Sequence, residues 1–257
     1  MRRLLAPLIV VAALIALWQL AARWDLLADA LGIEPFLVPA PSDIGEALWN
    51  DRELLADNAA TTLAEVVLGL LIAAVAGFVF AVVLHRFDVL RRAFYPLLMA
   101  SQTVPVIAIA PILVVWLGYG IGPKLVIIAL VCFFPITVNM LDGLRSVDPE
   151  LPRMMRTLDA SRSQTLWRIE VPSALPFLFS GLKIAAVISV IGAVFGEWSG
   201  SDAGLGHLIL VAQGQLQTAR VFAAVFVLSA IAIALFGLIA VAERRLAWWR
   251  PRAVRSI

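Results

Sequence analysis

The sequence predicts an all-α protein that crosses a membrane several times. Of its 257 residues, 62% are hydrophobic and only 15% are charged, and the mean hydropathy is +0.96. That is more apolar surface than one water-soluble core can bury, so the chain belongs in a bilayer. The apolar residues also fall in long runs that are nearly free of charge. Runs of this length predict helices that cross ~30 Å of hydrocarbon.

Six such runs predict six transmembrane helices, in one transmembrane domain over residues 1–257. The first run follows Arg2 and Arg3, as a secretory signal does, but no small-residue cleavage site follows at Ala22, Arg23 and Trp24. We therefore expect a retained anchor. No internal repeat, low-complexity tract or second domain is indicated. The spans are expected at about residues 4–22, 63–84, 94–117, 123–141, 176–198 and 221–242.

The basic residues predict the orientation of the chain. Fifteen of the 20 basic residues fall on one side of these six spans, whereas Arg23, Arg52, Lys124 and Arg220 fall on the other. Lys183 lies inside the fifth span, close enough to its start to extend to the interface. Because positive charge is retained in the cytoplasm, both termini are predicted to be cytoplasmic. The fifteen are Arg2, Arg3, Arg86, Arg91, Arg92, Arg145, Arg153, Arg156, Arg162, Arg168, Arg244, Arg245, Arg250, Arg252 and Arg255.

The loop between the first two spans is expected outside. It covers residues 23–60 and is rich in aspartate and glutamate. Its proline-rich stretch from Pro35 suits an extended backbone, and Ser42 or Asp43 can cap a short helix that ends near Trp49. We expect that helix to lie along the membrane surface.

The third span contains both prolines and polar residues. Three prolines, Pro96, Pro105 and Pro111, lie within or beside it. A proline inside a span kinks the helix and frees carbonyl groups, which is tolerated where the helix faces protein or a water-filled path. The candidate path residues here are Ser101, Gln102, Thr103 and Pro105; the alternative is ordinary helix packing.

The fifth span ends in a second candidate path or gate. Small residues at Ser189, Gly192, Ala193 and Gly196 allow another helix to approach closely, as in a dimer interface or a gate. Glu197 follows, and a carboxylate at a span end is costly if it faces lipid. Trp198 suits either an interfacial anchor or a wall for a flat substrate.

A polar, arginine-rich insert separates the fourth and fifth spans. The insert is too charged to lie in lipid; its sequence is RMMRTLDASRSQTLWRIEVP (153–172). Asp148 and Pro149 predict a helix start, after which Leu151, Met154, Met155 and Leu158 fall on one face. Ser161 and Gln164 have the spacing of a capping box, so a second short helix is predicted that Pro172 ends. The result is a helix–turn–helix under the membrane.

This insert resembles the signature loop of ABC-importer permeases, which has Glu-Ala-Ala, three residues, Gly, nine residues, Ile, one residue and Leu-Pro. Ile169, Val171 and Pro172 match its end, whereas Arg153, Met154 and Met155 stand at Glu-Ala-Ala and Asp159 stands at Gly. Gly permits a turn with positive φ that Asp tolerates less well. The resemblance extends over roughly residues 35–250, including PFLVPAPSDIGEALW (35–49), SQTVPVIAIAPILVVWLGYG (101–120) and VIGAVFGEW (190–198).

Among these permeases, the chain resembles the nitrate, sulfonate and taurine type, and within that type it looks most like uptake permeases for the thiamine precursor hydroxymethylpyrimidine. The resemblance implies a type I (MetI-like) fold in the bacterial inner membrane, with a second permease copy, two cytoplasmic ATPase subunits that carry ATP and Mg, and an external binding protein. Alkanesulfonates, taurine, nitrate and riboflavin remain alternative cargoes. The loop at 143–175 would contact the ATPase through Arg153, Met154, Met155, Arg156, Leu158, Asp159, Ser161, Arg162, Leu166, Trp167, Ile169 and Pro172.

Other functional classes are weakly supported by the residues. The glycine-rich stretch GYGIGPK (118–124) lacks the ending of a phosphate loop and predicts only a turn between spans, so this chain is not expected to be an ATPase or to hold a cofactor. His85 and His207 are far apart in sequence, Cys132 is alone, and neither a metal site nor an intramembrane enzyme is indicated. The small net charge of +2 does not indicate nucleic-acid binding. A secondary transporter would need buried ionisable residues near the middle of the membrane, and the span interiors are nearly free of them, with Lys183 as the exception.

Overall fold

The computed structural model describes the backbone of residues 2–247, and the side chains of residues 9–247 except Leu27, Ala28 and Leu31. Arg250, Arg252 and Arg255, and the side chains of Arg2 and Arg3, lie outside this description. Across residues 2–247 the chain is helical, with no strand. The helices are α1 (Arg2–Arg23), α2 (Leu26–Leu31), α3 (Pro41–Asn50), α4 (Arg52–Arg86), α5 (Asp88–Ser101), α6 (Val106–Leu117), α7 (Ile121–Arg145), α8 (Glu150–Thr157), α9 (Arg162–Thr165), α10 (Val171–Gly200), α11 (Leu205–Gly214) and α12 (Thr218–Leu246).

Within the described part of the chain, four helices are long and apolar enough to cross a membrane. They are α4, α7, the continuous helix Arg162–Gly200 and α12, and they coincide with four of the predicted spans. The pair α5 and α6 makes a fifth candidate if it counts as one span. The first predicted span coincides with α1, whose described apolar part, Ile9–Arg23, is shorter than a full crossing. The all-α membrane fold is therefore confirmed, and the count of six spans stays a prediction.

The first compact unit contains the residues up to Thr62 together with Asp202–Ala230. Its helices are joined by polar contacts. The Gln19 amide exchanges two hydrogen bonds of 3.0 Å with Ser42, which fix α1 to α3. The short helix expected near residues 42–49 is α3, which starts one residue earlier at Pro41 because the Asp43 carboxylate accepts the Ala40 N–H at 3.1 Å.

The start of α11 is held by α4 within the same unit. Gly204 has a φ of +113°, which glycine adopts without strain, and its N–H donates to Asn58 Oδ1 at 2.8 Å. The next N–H, of Leu205, donates to Thr62 Oγ1 at 2.8 Å. These side chains satisfy two of the backbone donors that a helix start leaves without an intrahelical partner.

The second unit contains Leu63–Ser201 and the residues from Ile231 onward, and its core is the packing of α7 against α10. Glycines let the two helices touch. A Cβ at Gly181 would lie 2.7 Å from the Pro135 carbonyl oxygen, and one at Gly196 would lie 3.3 Å from the stem of Lys124. The small-residue stripe expected to serve a dimer interface or gate therefore packs against α7 of the same chain.

Pro172 does not end the second helix of the polar insert, so that expectation is wrong. Helical backbone continues from Arg162 through Pro172 to Gly200. A π-helical turn at Leu166–Glu170 immediately precedes the proline. In a π-helical turn the hydrogen bonds join residues that are further apart in sequence than in an α-helix. Such a turn occurs where the regular ladder of helical hydrogen bonds is interrupted, and a proline interrupts that ladder.

Candidate functional site

The third predicted span is broken rather than kinked. Helices α5 and α6 meet at an angle of 100° across a short break that contains Thr103, Val104 and Pro105. Pro105 has an extended conformation and precedes the first residue of α6. Pro96 and Pro111 lie inside α5 and α6. Because proline offers no N–H and restricts the residue before it, the break falls at Pro105.

A cavity of about 810 Å³ lies in the second unit beside this break. Ser101 and Gln102 line it, as expected for path residues, whereas Thr103 and Pro105 are not among its lining residues. Thr103 donates instead to the Ala100 carbonyl oxygen at 2.8 Å. Asn139 of α7 also lines the cavity, and the sequence had given no reason to select it.

Most of the cavity wall is apolar and aromatic. Phe94, Phe133 and Phe134 are among the lining residues, and no lining residue is charged. The polar groups are a hydroxyl and two amides. Asn139 Nδ2 donates to the Pro135 carbonyl oxygen at 2.7 Å, and this bond fixes the amide so that its oxygen can accept from a ligand. Gln102 Nε2 lies 3.4 Å from Ser101 Oγ, a long and weak contact.

The other candidates for a path or gate occupy different surroundings. Ser189 is fully buried and donates to the Ala186 carbonyl oxygen at 2.8 Å. Trp198 is partly exposed and packs edge-on against Phe195, with ring centroids 5.8 Å apart. Arg220, on the predicted outer side, forms hydrogen bonds of 2.6 and 2.9 Å with Asp51 in the first unit.

A buried ionic cluster contains Glu197 and two residues that the sequence analysis did not select. Lys124 Nζ lies 2.5 Å from Glu65 Oε1 and 2.6 Å from Ser201 Oγ. The carboxyl groups of Glu65 and Glu197 also interact with each other. The exposed fractions of Glu65, Lys124 and Glu197 are 2%, 6% and 1%. The cluster joins α4, α7 and α10.

Glu65 and Lys124 lie at the ends of predicted spans and not in the span interiors, which were expected to be nearly free of ionisable residues. Glu65 is the third residue of the predicted span 63–84, Lys124 is the second residue of the predicted span 123–141, and the two are 59 residues apart in sequence. Charged residues near the ends of apolar spans either extend to the membrane interface or pair with each other. The positions of Glu65 and Lys124 in the sequence therefore indicated these two alternatives. The second alternative applies here, and only the packing of α4 against α7 reveals it.

The polar insert forms the predicted helix–turn–helix. Helix α8 covers Glu150–Thr157, and Asp148 Oδ1 accepts the Glu150 N–H at 2.9 Å. Asp159 has a φ of +53°, so the backbone adopts the turn conformation for which the signature loop has glycine. The capping box is present: Gln164 N donates to Ser161 Oγ at 3.2 Å and Ser161 N donates to Gln164 Oε1 at 2.7 Å.

The apolar side of α8 has little packing within the described residues. Leu151, Met154 and Leu158 are exposed, and Met155 is half-buried. An exposed apolar stripe on a polar helix indicates a surface for another protein. Arg153 forms an ion pair with Glu150 at 2.5 Å, while Arg156 and Arg162 point toward a separate basic pocket.

The second half of the insert lies beside the spans. The Trp167 ring packs on Phe78 of α4, with centroids 6.2 Å apart, although 53% of Trp167 stays exposed. Leu166 is buried in a cluster with Leu84 and Met140, and Ile169 is half-buried. These residues therefore fasten the insert to the transmembrane helices, and α8 with its turn carries the free apolar surface.

The helices, the broken span beside a cavity and the helix–turn–helix together define a membrane transport protein. Among residues 2–247 no group of His, Cys, Asp and Glu side chains is arranged to hold a metal ion. The family described as "Binding-protein-dependent transport system inner membrane component" matches residues 66–248. The chain belongs to this family: it is the permease subunit of an ABC importer and a multi-pass inner-membrane protein. Separate ATPase subunits hydrolyse the ATP, and a substrate-binding protein serves the importer.

Particular relatives extend over nearly the whole chain. A formylaminopyrimidine transport permease protein of Halalkalibacterium halodurans is 38% identical over 235 residues, 91% of this chain and 94% of that protein. A riboflavin transport system permease protein of Chloroflexus aurantiacus is 32% identical over 237 residues, 91% of this chain and 88% of that protein. The inward-facing MetNI methionine ABC transporter matches in fold with a TM-score of 0.64 at 21% identity, covering 78% of this chain and 98% of that one.

Proposed function

We propose that this chain forms the path for a small, uncharged, planar heterocycle, with a pyrimidine precursor of thiamine as the leading candidate. The observation that carries the proposal is the cavity beside the broken span. Its wall is largely apolar, includes three phenylalanines, and offers amide groups but no charge. The 38% identical relative named for formylaminopyrimidine transport supports the same class of cargo.

The cavity chemistry argues against anionic cargo. A sulfonate or nitrate would bring a negative charge, and zwitterionic taurine one charge of each sign, into a space whose lining residues include no charged side chain. Moving a charge out of water without a partner costs several kcal/mol or more. A heterocycle instead stacks on aromatic rings and exchanges hydrogen bonds with amides. Riboflavin shares these properties and is the nearest alternative.

Two amides would supply the polar contacts to a heterocycle. Asn139 Oδ1 is oriented by the bond from Nδ2 to the Pro135 carbonyl oxygen, so it is an acceptor for an exocyclic amino group. Gln102 provides both a donor and an acceptor for an adjacent ring nitrogen and amine.

We further propose that α8 is the coupling helix that contacts the ATPase. Its exposed Leu151, Met154 and Leu158 fit a hydrophobic groove on the partner. The surplus of arginine on this side supports a cytoplasmic position for the helix and for both termini. A second copy of the chain would pair with the first to complete the path, in accordance with the permease pairs of such importers.

Uptake by the complete importer tests the cargo assignment. The transporter, assembled with its ATPase and binding protein in vesicles, should accumulate a labelled aminopyrimidine, and excess taurine or nitrate should not compete. Gln102→Glu places a charge in the cavity and should reduce uptake at least tenfold, whereas Gln102→Asn should reduce it less. Uptake of a labelled sulfonate but not of any heterocycle would refute the assignment.

A further inference from the structure

A basic pocket of about 290 Å³ lies in the second unit, where α4 ends. Arg86 in the last turn of α4, Arg156 on α8 and Arg162 at the start of α9 line it. The acidic residue among the lining residues is Glu170, and its carboxylate is 3.1 Å from His85 Nε2. Three arginines therefore line a small open space.

No described carboxylate forms an ion pair with any of these three arginines. Arg91 forms an ion pair with Asp88 at 2.8 Å, and Arg153 forms one with Glu150. Arg156 Nε, in contrast, makes only a long contact of 3.4 Å with the Pro152 carbonyl oxygen. Like charges held close together repel, so an anion in the pocket would lower the free energy of this arrangement.

The pocket lies at the depth where lipid headgroups are expected. The apolar run of α4 ends at the buried Leu84, directly before His85 and Arg86. The membrane-crossing helix Arg162–Gly200 begins at Arg162, which also lines the pocket. Both helices therefore leave the hydrocarbon at this pocket. Phe87, which follows Arg86 in the chain, is exposed, and so is Trp167, which follows the lining residue Leu166. Tryptophan is enriched at the membrane interface.

We propose that this pocket binds the phosphate group of an anionic phospholipid. Guanidinium groups pair bidentately with phosphate oxygens, and basic pockets between transmembrane helices suit acidic headgroups. The exposed apolar side chains beside the pocket favour a lipid, whose acyl chains they can contact, over an acidic side chain of the ATPase. This site lies apart from the cargo cavity and goes beyond the proposed function.

Lipid binding to the assembled transporter tests the site. In neutral detergent micelles, binding of phosphatidylglycerol and of phosphatidylcholine can be compared by native mass spectrometry. Phosphatidylglycerol should bind preferentially, and Arg86→Gln and Arg162→Gln should each weaken its binding about fivefold. Arg92→Gln is the matched control, because Arg92 is exposed near the same end of α4 but does not line the pocket.

Each outcome decides the proposal. A fivefold loss in both pocket variants, with little change in Arg92→Gln, supports the lipid site. Equal losses in all three variants would indicate diffuse surface charge and overturn it. Displacement of phosphatidylglycerol by excess inorganic phosphate, with no preference between the two lipids, would assign the pocket to free phosphate instead. Unchanged lipid binding with loss of the copurifying ATPase would assign it to an acidic side chain of that partner.

Discussion

Replacing Lys124 by Met should destabilise the protein strongly, because it leaves a carboxylate buried without its cation. The Nζ–Oε1 distance of 2.5 Å and side-chain exposures of 8% for Lys124 and 3% for Glu65 leave little room for screening by water. Removing one partner of a buried ion pair costs about 3–5 kcal/mol. Met keeps most of the stem volume that packs on Gly196, so the loss reports on charge rather than on a cavity.

The free energy of unfolding in mixed micelles, titrated with a denaturing detergent, measures this effect. Lys183→Met is the matched control. Its partner Glu243 is 2.8 Å away, but the two side chains are 22% and 14% exposed, so water can replace part of the lost interaction and the cost should be smaller.

A second substitution distinguishes the charge effect from a packing defect. Glu65→Gln added to Lys124→Met should restore at least half of the lost free energy, because it removes both the unpaired charge and its repulsion with Glu197. The ionic cluster would be refuted if Lys124→Met costs no more than Lys183→Met, or if Glu65→Gln worsens the defect.

Three further predictions test the turn, the helix packing and the coupling surface. Asp159→Gly should raise the free energy of unfolding by up to about 1 kcal/mol, because Asp159 has a φ of +53°. Cargo-stimulated ATP hydrolysis should stay level or rise, and a collapse of that stimulation would show that Asp159 has a role of its own. Gly181→Ala should lower the free energy of unfolding by about 1–3 kcal/mol, because the added Cβ would lie 2.7 Å from the Pro135 carbonyl oxygen. Gly45→Ala, whose Cβ would have no atom within 4 Å, should lower it less. Equal effects of the two substitutions would contradict the packing of α10 against α7. Met154→Asp should abolish copurification of the ATPase at normal membrane levels, whereas Thr157→Asp should retain it; retention by Met154→Asp would reject α8 as the coupling helix.

The sequence predicted the features that depend on residues close to one another along the chain. The long apolar runs at 63–84, 123–141, 176–198 and 221–242 correspond to helices, because composition alone decides whether a helix can lie in lipid. The spacing of Ser161 and Gln164 predicted the capping box. Each signal lies within a few residues of its effect. Asp159, in contrast, adopts the positive φ that the sequence analysis expected aspartate to tolerate less well than glycine.

Features that depend on which helices meet were missed or misplaced. Glu65 and Lys124 are 59 residues apart, and nothing local indicates that they pair. Gly192 and Gly196 predicted a close helix contact correctly, but the partner is α7 of the same chain. Pro172 predicted a helix end because a proline is normally costly inside a helix, and the π-helical turn before it could not be seen in the sequence.

Thiol labelling of the assembled importer tests most directly whether the cavity beside the broken span is the transport path. The native Cys132 is fully buried, so a cysteine can be introduced without removing it. Ser101→Cys changes one atom of a cavity-lining side chain and leaves both amides in place, so it should transport before labelling. It should react with a hydrophilic thiol reagent, be protected by cargo, and lose uptake after labelling. Val115→Cys, at a position that is 82% exposed and outside the cavity lining, should keep its uptake under the same treatment. Full uptake by labelled Ser101→Cys would contradict the assignment of this cavity to the path.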